Sequence, residues 1–163
     1  MSEHRVNRRQ LEVQRIADAA FSPNDDEFQV WVEQALADYQ RDAEVVIRIV
    51  DTQEMTALNT QYRGKKGGTN ILSFPFELPD EVEGIDLLGD LVVCAEVLEQ
   101  EAEAQGKPLK AHWTHIIIHG VLHLLGYDHI NEKDAREMES KEIDILQGLN
   151  IDNPYQENNV NDW

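Results

Sequence analysis

The run Thr114–His129 reads T-H-I-I-I-H-G-V-L-H-L-L-G-Y-D-H, and the rest of the chain has to fold around it. Positions i and i+4 of an α-helix share a face, so His119 and His123 present their imidazoles to one point. Ile116, Ile117, Val121, Leu122, Leu124 and Leu125 read as the core residues of a helix spanning about Lys110 to Leu125. Gly126 follows His123 by one turn. Glycine takes the left-handed conformation that ends helices at little cost. The turn Gly126-Tyr127-Asp128 can then bring His129 round as a third nitrogen. Three neutral imidazoles with an open fourth position are what a catalytic zinc ion needs. With 6 His and 9 Gly in 163 residues, H-x3-H-x2-G-x2-H arises by chance roughly once in a few thousand shuffled chains. The plain alternative is a helix with a wet histidine edge and a capping glycine.

Working outward, the flanking segments alternate between strand and helix. Leu11–Ile16 opens with the alternation of a short strand. Ser22-Pro23-Asn24-Asp25 starts a helix whose face is Phe28, Val32, Leu36 and Tyr39, running to about Gln40. Glu44–Val50 is a β-branched run expected to form a buried strand. Asp51-Thr52-Gln53-Glu54 resembles a capping box, and Met55, Leu58 and Tyr62 are the stripe of the helix it opens. Gly64 is placed to end that helix. Arg63–Asn70 is a flexible, basic loop suited to binding. Ile71–Phe76 and Leu88–Cys94 read as two more strands, with Leu78–Asp86 an acidic loop between them. A helix follows to about Gln105, and Gly106-Lys107-Pro108 breaks the chain before the histidine helix. Asn131 caps a last helix with Ala135, Met138, Ile145 and Leu149 inward. The expected architecture is α+β, a four-stranded mixed sheet packed with about five helices. One catalytic domain is expected over residues 1–151, with a polar, flexible tail over 152–163.

Composition narrows the function classes. No apolar run approaches a membrane span, so no membrane partner is expected. The opening M-S-E-H-R-V-N-R-R-Q has no following apolar block and does not read as a secretory signal. The single cysteine, Cys94, excludes an internal disulfide, fits a reducing cytoplasm, and reads as a small core residue. A formal charge of −18 argues against nonspecific nucleic-acid binding. Screening over about 8 Å at physiological salt nevertheless lets a local basic patch act. Arg5, Arg8 and Arg9, then Arg63, Lys65 and Lys66, then Lys107 and Lys110 form such clusters.

The histidine pattern is similar to the metzincin peptidase signature H-E-x-x-H-x-x-G-x-x-H, with Gly120 where that signature has glutamate. The glutamate is the peptidase's general base, and glycine has no side chain to move a proton. A peptidase-like zinc hydrolase therefore keeps the ligands and lacks the base.

The run H-G-V-L-H-L-L-G-Y-D-H resembles the signature of the bacterial YbeY family of endoribonucleases and rRNA maturation factors. Tyr62-Arg63-Gly64-Lys65, Thr69-Asn70-Ile71-Leu72-Ser73-Phe74-Pro75 and Gly89-Asp90 match further family blocks in order, from about Ala43 to Leu149. Asn70 departs from the family's common Asp and Gly68 from its common Pro. The resemblance implies one zinc ion held by His119, His123 and His129. It also implies action on single-stranded RNA, in maturation of small-subunit rRNA and in ribosome quality control, with the small subunit or its proteins as partners. Arg63, in the Y-R-G block, matches the family's functional arginine. A guanidinium holds phosphate through its planar fork, and Lys65 and Lys66 add looser point charges. Arg63 reads equally as a solvated cation at a helix end. Zinc polarises a phosphoryl oxygen and lowers the pKa of bound water from about 15.7 towards about 7. Attack on phosphorus and deprotonation of the RNA 2′-hydroxyl both stay open.

The neighbours of the triad have weaker assignments. Asp128 either orients a ligand imidazole or is a turn residue. His115, one turn before His119, reads as lining the substrate cleft or as a buried histidine. His112 and His4 read as surface residues. The other function to weigh is a ribosome assembly factor in which zinc is structural and the acidic surface meets basic ribosomal proteins.

Overall fold

In a computed structural model of the chain, residues 8–17, 21–63, 69–76, 87–127 and 131–154 are described. In chain order the elements are β1 (Arg9–Arg15), α1 (Asp25–Ala35), β2 (Ala43–Val50), α2 (Thr52–Arg63), β3 (Ile71–Pro75) and β4 (Leu87–Cys94). Three helices follow: α3 (Ala95–Gln105), α4 (Leu109–Leu124) and α5 (Glu132–Gly148). The sheet order is β1-β2-β4-β3. β2 pairs parallel with β1 and β4, whereas β3 runs antiparallel to β4. This is the α+β mixed sheet with five helices that the alternation of segments implies.

The sheet is central because its middle strands are apolar on both faces. From β2, Val45, Ile47 and Ile49 enter the main core with Leu91 and Val93 of β4. On the other face Val50, Val92 and Cys94 join Leu72 and Met55 in a smaller core. Burial pushes the Cys94 thiol pKa up, in keeping with a packing role. Helix α2 touches this smaller core through Met55 and Leu58, while Tyr62 lies 60% exposed at its rim, edge-on to Phe74. Tyr62 thus leaves the inward stripe its spacing suggested, because that core is too small to underlie the last turn.

Local signals set the helix ends. At α1 the Asn24 side chain accepts from the Glu27 backbone N–H at 2.8 Å, and the Glu27 carboxylate accepts from the Asn24 N–H at 3.0 Å. This reciprocal box satisfies two donors left open at a helix start. At α2, Asp51 accepts from the Glu54 N–H at 2.8 Å, but the Glu54 carboxylate pairs with Arg48 instead of closing the box. Helix α1 also ends near Ala35, short of the expected Gln40.

Helix α4 is the hub. It packs against α1, α3, α5, β3 and β4. Trp113, Ile116, Ile117, Ile118, Val121 and Leu122 are all buried. A helix apolar around most of its circumference belongs inside a domain. Each of these side chains contributes about 1.5–3 kcal/mol on burial. Trp113 meets Phe28 of α1 edge-on at 5.8 Å. Two glycines let α4 approach the sheet. A Cβ at Gly120 would lie 2.7 Å from Ile71 Cδ1 and 2.9 Å from Leu91 Cδ2. At Gly89 it would lie 2.5 Å from the Phe74 carbonyl oxygen and 2.6 Å from Leu124 Cδ2.

Gly89→Ala is therefore expected to destabilise the protein by about 1–3 kcal/mol, the usual cost of overpacking. The unfolded-state benefit of alanine, about 0.4–1 kcal/mol, is smaller, since the obstacle is a backbone oxygen. A urea-unfolding midpoint equal to or above that of the wild type would contradict this packing.

Candidate metal centre

Four histidines run down one face of α4. His112, His115, His119 and His123 are spaced by three, four and four residues. Successive rings stand 6.5, 6.2 and 4.6 Å apart. Of the four, His112 and His115 are buried at 1% and 2% exposure. The His119 side chain is 16% exposed. The stripe therefore runs from the interior at the start of α4 towards the surface at its end.

Two neighbouring helices supply acids to this stripe. Glu101 of α3 lies 2.9 Å from His112 Nε2. The Asn70 amide donates to the same carboxylate at 3.1 Å, tying the start of β3 to α3 and α4. An aspartate at position 70 could not make that bond. Glu142 of α5 is fully buried, with one carboxylate oxygen on His119 Nδ1 and the other 3.4 Å from His115 Nε2. Burial alone would raise the Glu142 pKa, but the contacts with His115 and His119 outweigh it and hold the group well below the usual carboxylate range. Burial lowers the pKa of His115, with Glu142 opposing in part. An ionised carboxylate only accepts, so His119 donates from Nδ1; in the neutral ring that tautomer leaves the lone pair on Nε2.

That Nε2 stands 3.0 Å from His123 Nε2. Two nitrogens bound at 2.0–2.1 Å to one tetrahedral ion would be about 3.3 Å apart. The pair thus fits a shared zinc-like ion with little adjustment. Among the described residues, His115, His119 and Glu142 also bring ligand atoms within 4.8 Å of one another and can hold a metal ion.

The helix ends as its glycine requires. Gly126 has φ +103°. The Tyr127 N–H bonds the Leu122 carbonyl at 3.1 Å and the Gly126 N–H bonds the His123 carbonyl at 3.0 Å. This paired arrangement reverses the chain just after His123. His129 and Asp128, which follow that turn, lie outside the described residues, as do Lys65, Lys66, His4 and the Arg63 side chain.

Several assignments need correction. His112 is buried, not on the surface, because Glu101 meets its ring inside the protein. Of the two readings of His115, the structure gives the buried ring: it is 2% exposed, with Nε2 3.4 Å from Glu142. Glu142 was missed. Its only signal is position: it stands four residues after Met138 and four before Leu146, both buried. Gly120 carries a packing constraint as well as a missing base, since any side chain there would have to displace Ile71 Cδ1 and Leu91 Cδ2.

A model of the Endoribonuclease YbeY family matches residues 13–150. The chain belongs to the YbeY family. Endoribonuclease YbeY of Methylococcus capsulatus is 56% identical over 147 residues, covering 90% of this chain and 95% of that protein. In fold, a Thermotoga maritima protein solved in solution superposes with a TM-score of 0.55 at 22% identity, over 85% of this chain and 91% of that one. Among the described residues no helix is long and apolar enough to cross a membrane.

Removing the acid at the inner end of the stripe should loosen the junction of β3, α3 and α4. Glu101→Ala is expected to cost about 1–3 kcal/mol, the penalty for withdrawing a partner from a buried polar group. Chemical denaturation reads this directly, and an unchanged midpoint would show that the Asn70–Glu101–His112 contacts contribute nothing.

Proposed function

We propose that this protein is a metal-dependent endoribonuclease cutting single-stranded RNA, with zinc held by His119, His123 and His129. The observation that carries the reading is the His119–His123 pair, whose Nε2 atoms converge at 3.0 Å within a chain of the YbeY family. The 56% identical relative is named an endoribonuclease, which supports RNA as the substrate. Bound zinc would supply a Lewis acid for a phosphoryl oxygen and an acidified water. The chain's own residues do the rest. Arg63 holds a non-bridging phosphate oxygen pair through its guanidinium fork, and Lys65 and Lys66 draw in the flanking phosphates. Asp128 orients the His129 ring. In the cytoplasm, small-subunit rRNA near its 3′ end is the proposed substrate, during maturation and ribosome quality control. The small subunit or its proteins are the proposed partners.

Purified full-length protein is expected to cleave unstructured RNA and to lose activity with a chelator or with His119→Ala. Arg63→Ala should slow cleavage about 10²-fold, as losing one transition-state donor does. Activity untouched by both substitutions would mean a contaminating nuclease. Intact RNA at stoichiometric zinc, with small subunits still bound, would replace the enzyme by a non-catalytic assembly factor.

A further inference from the structure

We propose that Glu142 is a positioning residue for the metal: it fixes His119 in the tautomer that offers Nε2 to the ion, while His115 steadies its second carboxylate oxygen. The inference rests on reading His119 and His123 as ligands. Its ground is the placement of one side chain. Among the described residues Glu142 is the one fully buried acid. It lies on the inward stripe of α5, between Met138 and Leu146, where packing would favour an aliphatic residue.

Stability alone does not require a carboxylate there. Taking an ionised carboxyl out of water costs several kcal/mol, and apolar replacements of buried ionic groups are often neutral or stabilising. Both oxygens of Glu142 go to imidazoles of the histidine stripe, one on His119 Nδ1 and one 3.4 Å from His115 Nε2. The far nitrogen of the His119 ring faces His123 at 3.0 Å. Carboxylate, imidazole and the point where two nitrogens converge therefore follow one another in a row. In such a row the carboxylate makes the ligand imidazole more basic and stops its rotation, which typically raises metal affinity 10–100-fold. His115 is 2% exposed, and its Nε2 lies 3.4 Å from the Glu142 oxygen that His119 does not use.

A competing arrangement would seat the ion among His115, His119 and Glu142 themselves, whose ligand atoms lie within 4.8 Å of one another. That position uses His119 Nδ1 and leaves His123 out. It would take up both the Glu142 carboxylate and the nitrogen that faces it, leaving the His119–His123 convergence unused.

The test measures zinc affinity by chelator competition on the full chain, together with thermal unfolding of the metal-free proteins. Glu142→Gln keeps the shape and removes the charge. It should bind zinc about 10–100-fold more weakly than wild type, while the metal-free protein stays folded. His119→Ala and His123→Ala should each lose tight binding. Wild-type affinity in Glu142→Gln, with His119→Ala defective, would overturn the positioning role and leave the ligand assignment standing. Zinc retained in His119→Ala would instead overturn the ligand assignment itself. Loss in Glu142→Gln as complete as in His119→Ala, with His123→Ala unaffected, would make the carboxylate a ligand and also refute the proposal. Should Glu142→Gln fail to fold, the ¹⁵N imidazole spectrum of metal-free wild type decides. His119 protonated on Nδ1 supports the positioning role, and protonation on Nε2 overturns it.

Discussion

A helix enclosed by the rest of a domain can carry polar side chains only where neighbours meet them, and α4 carries four histidines. Unpaired, each buried ring would cost about 1–3 kcal/mol. The arrangement of α3 and α5 follows from this constraint. α3 brings Glu101 to His112, and α5 brings Glu142 to His115 and His119. The pairing grades along the helix from enclosed rings to the partly open His119 and His123. The two outer rings are the ones whose Nε2 atoms converge at 3.0 Å.

The sheet determines where that opening lies. Gly120 and Gly89 let α4 sit against β3 and β4 with no Cβ between them. Ser73 Oγ donates to the Gly120 carbonyl at 3.3 Å, a further tie between edge strand and helix. At the other end of the helix, Gly126 ends it three residues after His123. One close-packed helix and one left-handed glycine thus fix the ligand pair relative to the sheet. The acidity of the chain is partly explained as well. Asp25, Asp26 and Glu27 occupy the first turn of α1, and Glu132 and Asp134 that of α5. Negative charge at a helix start is favourable by about 0.3–1 kcal/mol each.

The strands, the helix stripes and the caps at Asn24, Asp51 and Asn131 were legible because each depends on residues close in sequence. So was the His119–His123 pair, a matter of helical spacing alone. The misread residues depend on contacts between distant segments. His112 looked like surface because a lone histidine normally is, and its contact with Glu101, eleven positions earlier, is invisible in local sequence. Glu142 sits in E-M-E-S-K-E-I-D-I-L, where one acid among several carries no mark. It lies four residues from buried Met138 and four from buried Leu146, but a glutamate at such a position becomes meaningful only once His119 is opposite. Gly120 was read for the base it lacks, while its packing role depends on Ile71 and Leu91 from two strands.

The account depends on where the ion sits relative to the His119 ring, and zinc-edge anomalous diffraction from zinc-loaded crystals measures that position directly. A single peak bonded to Nε2 of both His119 and His123, with Glu142 on the opposite nitrogen, is the predicted result. A peak on His119 Nδ1 and the Glu142 carboxylate, with His123 unbound, would contradict it.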